Sequence, residues 1–182
     1  MLPGLMRTAP HLLRRSRKTA MSPLPFLNWL QQSAWATDLK QSALVFPLVE
    51  GSHILSLSLS VGTIMVVDFR LLRLSFRNQP ISLIYQQTMP WFTAGFCIAF
   101  FTGALLFATE PLRAYGNGFF RVKMLLLAMA GINALYYRIR YYPNMAEWDL
   151  TATPIGVRAI AALSLIFWIG VITCGRTMAY EL

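Results

Sequence analysis

Four long apolar runs limit what this chain can fold into. They cover about residues 46–67, 90–108, 119–140 and 154–178. Each is near the roughly 20 residues a helix needs to cross the hydrocarbon of a bilayer. Backbone groups in hydrocarbon have no water to bond, so a run of this length satisfies them internally, as a helix. A membrane barrel would show segments of about ten residues with alternating polarity, whereas these runs are continuously apolar. Only 13% of the residues are charged, against roughly 25% in an ordinary soluble domain, and 182 residues leave room for one domain. The expected fold class is therefore all-α: a four-helix transmembrane bundle with an N-terminal interfacial helix. The lipid bilayer is its first partner.

Punctuation supports these limits. Pro47 suits the first turn of the first span, and Asp68, Arg70 and Arg73 mark its exit. Pro90 and Trp91 open the second, and Glu110-Pro111 close it. The third follows the turn "YGNG", and Thr153-Pro154 opens the fourth. Residues 22–45 carry Trp29 and Trp35 beside polar residues, as an amphipathic segment lying at the interface does. Residues 1–21 are a basic leader, read as a membrane-surface anchor, as a disordered tail, or as an over-long start whose true beginning is Met21.

The net charge of +9 raises the question of nucleic acid. Here the charge is divided among the ends of the spans, with no basic stripe interleaved with aromatics, so nucleic acid is excluded as a partner. With both termini on one side, that side carries ten of the sixteen Lys and Arg, or five without the leader. With the leader the bias puts the termini in the cytoplasm, and without it, at five against six, the positive-inside rule decides nothing. Cys97 and Cys174 fall inside apolar runs and form no metal-ligand pattern.

The costly residues are Glu50 and His53, three apart near the start of the first span. His53, Ser56, Ser60 and Thr63 form one polar stripe on a helix, which Glu50 borders. A stripe of this kind faces the bundle interior. In one reading Glu50 lies at headgroup depth and His53 bonds a neighbouring helix. In the other, His53 is a metal or haem ligand, or carries protons, and Glu50 orients it. Arg121 and Lys123, at the start of the third span, either snorkel to headgroups or bind an anionic group such as the carboxylates of a tetrapyrrole. Lys123, Ala130, Ala134 and Tyr137 share a face with Asn133 at its edge. Gly95, Ala99 and Gly103 recur every four residues, a pattern for close helix packing. Among the seven acidic residues, Glu50 is the expected interior member. No nucleophile elbow, phosphate loop or HExxH motif points to a soluble enzyme.

At "EGSHILSLSLSVGTIMVVDFRLL" and "FRVKMLLLAMAGINALYYR" the chain resembles a group of bacterial four-helix inner-membrane proteins of unknown function, over most of residues 33–178. The resemblance implies a multi-pass protein of the bacterial inner membrane. More distantly, an early-helix His followed by a Lys opening a later helix is similar to the HemJ-type protoporphyrinogen oxidases and the CopD-like copper proteins. On that resemblance His53 and Lys123 are the haem-linked positions, haem b is the cofactor, and any activity is that of a haem-linked membrane oxidoreductase. A single embedded His excludes bis-histidine ligation of two haems within one chain, and a single haem takes Lys, Met or nothing opposite His53. Two readings follow. One is a membrane protein with a polar intramembrane site at Glu50, His53, Lys123 and Arg121, holding haem or a porphyrin. The other is a non-catalytic anchor or scaffold subunit, within a homo-oligomer or beside a membrane partner protein.

Overall fold

The computed structural model describes residues 23–149 and 152–180, so the basic leader at 1–21 lies outside the described residues. Two short helices come first, α1 (Leu24–Gln31) and α2 (Ala34–Gln41). The long α3 (Val45–Leu71) and α4 (Ile81–Thr109) follow, then the short α5 (Pro111–Gly116) and the long α6 (Gly118–Arg140). A 3₁₀ turn (Tyr142–Asn144) and α7 (Met145–Trp148) lead to the last helix, α8 (Ile155–Tyr180). Among the described residues there is no strand. α3, α4, α6 and α8 are each long and apolar enough to cross a membrane, and the chain is a multi-pass membrane protein.

The helices outrun the apolar runs that forecast them. α4 begins at Ile81 and carries Pro90 in its interior, where a start had been expected. Pro90 has no N–H to give the Gln86 carbonyl. A membrane bundle tolerates this because neighbouring helices and side-chain hydroxyls re-satisfy freed backbone groups. The first turn of α4 is secured from a distance: Ser82 donates its backbone N–H to Asp149 Oδ1 at 2.8 Å and its hydroxyl to Oδ2 at 2.6 Å. A carboxylate there satisfies a free N–H and complements the positive helix end. α6 has a local cap, with Phe120 N–H donating to Asn117 Oδ1 at 3.1 Å.

α3 packs along α4, α6 packs along α8, and the two pairs join where α3 meets α8. Among the described residues the α4 and α6 backbones do not come close, and side chains bridge that seam, with Phe107 stacked on Phe120 at 5.5 Å and Tyr85 near Tyr137 at 6.1 Å. Two buried clusters fill the centre. One is built around Val67, Ile81, Tyr137 and Val157, and the other around Val61, Phe167, Trp168 and Val171. Leu55, Phe100, Ile132 and Ile166 point outward and are well exposed, which costs nothing where lipid tails are as apolar as leucine.

α1 and α2 sit at the end shared by α5 and the start of α3. Phe26, Trp29 and Trp35 are exposed there. Lys40 of α2 donates to Glu110 Oε1 at 2.8 Å, and Arg113 donates to Oε2 at 3.1 Å. Lys40, with Arg113 adding to it, holds the Glu110 carboxyl below its ordinary range. A depressed carboxyl stabilises the fold above its unfolded pKa and loses that contribution as pH falls through the folded one. Both partners are half exposed, so Glu110→Gln should cost under about 1 kcal/mol near neutral pH. In thermal melts the gap from wild type should close once the pH falls well below the ordinary glutamate range.

Candidate intramembrane site

The acid that enters the bundle is Asp68. It lies seven residues after Val61 and four after Ile64, so it continues the α3 face that packs inward. Its exposure is 3%. Glu50, expected as the interior acid, is exposed. The reason is rotational: the residues that turn toward the other helices near Glu50 are His53 and Ser56.

Asp68 helps line a cavity of about 370 Å³ between α3, α4, α6 and α8, within the range of small-molecule sites. Asn133, Tyr137 and Ser164 add polar groups, and Tyr85, Phe92, Phe96 and Trp168 add rings. The rings are mutually packed, with Phe92 edge-on to Trp168 at 6.2 Å and Tyr85 6.1 Å from Tyr137. Asn133 is anchored by donating Nδ2–H to the Ile160 carbonyl at 3.0 Å. The Ser164 hydroxyl approaches the Asp68 carboxyl from α8.

Two of the residues lining it each hold a buried atom without a partner: Asp68 Oδ2 and Tyr137 Oη. Leaving a buried polar atom unpaired costs about 1–3 kcal/mol. Such atoms are rare enough that each calls for an explanation.

The cavity adjoins the α4–α6 seam. Tyr85, Met89, Thr93 and Arg138 line it and also line a groove between α4 and α6, with Gln86, Pro90 and Tyr142 on the outer side. Arg138 is exposed and lies over the Tyr142 ring, 5.4 Å from its centroid. This places the charge at the mouth and rings and methyl groups along the path.

The sequence-derived residues gather at the opposite end of α3. His53 Nδ1 is 2.9 Å from the Ala99 carbonyl and 3.1 Å from Thr102 Oγ1. A carbonyl only accepts, so Nδ1 carries the hydrogen. Thr102 gives its own hydrogen to the Ile98 carbonyl at 2.7 Å, so it too faces Nδ1–H as an acceptor. Nε2 is then a bare lone pair in the neutral ring. Lys123 of α6 lies within electrostatic reach of the ring and runs alongside Gly175 of α8. Glu50 and Arg121 are exposed, and among the described residues neither makes a polar side-chain contact with His53 or Lys123. Nor, among the described residues, do three His, Cys, Asp or Glu side chains converge as a metal group would need.

Asp68 and Ser164 were missed by reading the sequence as a site. Asp68 looks like an exit charge because Arg70 and Arg73 follow it. The signal that was present is its register with Val61 and Ile64.

The chain matches, over residues 26–181, the model of a family of unknown function, DUF6644. It belongs to that family. The matched stretch contains both sites. No curated protein and no solved structure matches the chain. The family description carries no activity, and neither the HemJ-type nor the CopD-like resemblance gains support from it.

Proposed function

We propose that this protein lies in a bacterial inner membrane and binds a lipid-soluble small molecule. The ligand enters from the bilayer between α4 and α6 and sets its polar end against Asp68 and Tyr137. One observation carries the reading: two buried oxygens with no partner line the same cavity, and that cavity continues into a groove facing lipid. A bound polar head offsets the cost of both. The residues that resist solvent elsewhere, Phe92, Phe96 and Trp168, supply the apolar contact. The test is photolabelling in liposomes with a phenyl-trifluoromethyl-diazirine, a small apolar probe. Adducts are expected on Phe92 and Trp168, and Ala130→Phe, which adds a ring at a buried lining position, should reduce them. Label confined to outward residues such as Ile132 and Ile139 would sink the proposal.

A second reading concerns His53 and haem b. Its support is the Nδ1–H bond to the Ala99 carbonyl, which fixes the tautomer and leaves Nε2 as a ligating lone pair. His53 Nε2 would hold the haem iron, and Lys123, which acts on that ring, would meet an anionic edge. A bound haem would supply one-electron chemistry, while this chain would orient the imidazole and hold the cation. Purified protein should then show a Soret band that His53→Ala abolishes. Protein that stays colourless at full yield after haem is supplied rules this reading out.

A further inference from the structure

Both orphaned atoms of the cavity are oxygens. A carboxylate oxygen accepts only, and a phenol oxygen accepts as well as donates. A head bearing several N–H donors matches the chemistry of both atoms.

The surrounding charges point the same way. Arg70, on the same helix as Asp68, is committed to the carbonyls of Gln79 at 2.7 Å and Asp149 at 3.0 Å. Arg138 on α6 is exposed and stacked over Tyr142. Tyr85 and Tyr137 are the other titratable groups on the cavity wall, from α4 and α6, and α8 presents the uncharged Ser164. Among the described residues no cation pairs with the Asp68 carboxyl. An ionised carboxyl out of water is costly without a counter-charge, so it either takes up a proton or pairs with a cation, and a ligand ammonium is such a cation. The ring faces of the cavity attract a cation as well.

We infer that the cavity takes a lipophilic primary or secondary amine in its ammonium form, donating N–H to Asp68 Oδ2 and Tyr137 Oη, with its apolar remainder among the rings. This rests on the cavity being a ligand site. Protons and the ammonium compete for the same carboxylate, so binding weakens as the pH falls through the titration of Asp68.

The experiment is competition against diazirine labelling of Trp168 in liposomes. The competitors are phenylbutylamine, phenylbutanol as its uncharged counterpart, and a benzoquinone of similar size. The amine should suppress labelling at a concentration about tenfold or more below that of the alcohol, the effect of one charge-assisted hydrogen bond. Asp68→Asn should erase that advantage while the diazirine still labels Trp168, and Tyr137→Phe should retain part of it. In the wild type, lowering the pH should shrink the advantage, a readout that needs no variant to fold. Equal suppression by amine and alcohol, stronger suppression by the quinone, or an advantage indifferent to pH overturns the amine while leaving the cavity reading intact. Absence of label on wild-type Trp168 overturns both.

Discussion

Gly95→Val should separate α3 from α4 and leave little folded protein, a loss of about 3 kcal/mol or more. Gly95 is buried where the two helices cross. A β-carbon placed there would lie 2.6 Å from Ser60 Oγ and 2.8 Å from the Ser56 carbonyl oxygen. The hydroxyl can rotate away, but the carbonyl belongs to the α3 backbone and cannot. The helices must therefore part, and the parting undoes other contacts along the crossing. Ser60, fully buried, bonds back to the Ser56 carbonyl at 2.9 Å and reaches the Phe92 carbonyl at 3.4 Å. The control is Gly62→Val on α3, where nothing lies within 4 Å of an added β-carbon. Thermal melts in mild detergent compare the two, and a Gly95 variant as stable as the Gly62 variant would contradict the crossing described.

Arg70→Ala is the second large effect, expected to destabilise by about 3 kcal/mol, since each bond from a charged donor contributes roughly 1.5–3. Arg70 is 1% exposed. Its guanidinium joins the end of α3 to the α3–α4 connection at the Gln79 carbonyl and to the segment after α6 at the Asp149 carbonyl. Asp149 in turn holds the first turn of α4 through Ser82. This network ties the end of the seam where the α4 and α6 backbones stand apart and only side chains such as Tyr85 and Tyr137 meet, so its loss should also loosen the entrance to the cavity. Arg70→Lys should recover little, because one ammonium does not reproduce the planar fork that reaches both carbonyls. Detergent melts and limited proteolysis between residues 141 and 154 are the measurements. A change under about 0.5 kcal/mol, typical of ordinary surface substitutions, would show that the network carries no weight.

The chain's order alone determined the number of crossings and their helical form, because hydrocarbon leaves the backbone no other partner. It also determined which residues share a face. Ser56 and Ser60 formed one stripe, and Gly95, Ala99 and Gly103 another. Helical periodicity is a local property and can be counted along the chain.

Tertiary structure decided which faces meet. The serine stripe of α3 lies on the glycine stripe of α4, and the His53 ring rests against Gly103. It also decided that Asp68 turns inward among Tyr137, Asn133 and Ser164, that Glu50 stays outside, and that the α4 and α6 backbones stand apart. Rotation of one helix against another is set by side chains far apart in sequence, and no period along a single helix records it.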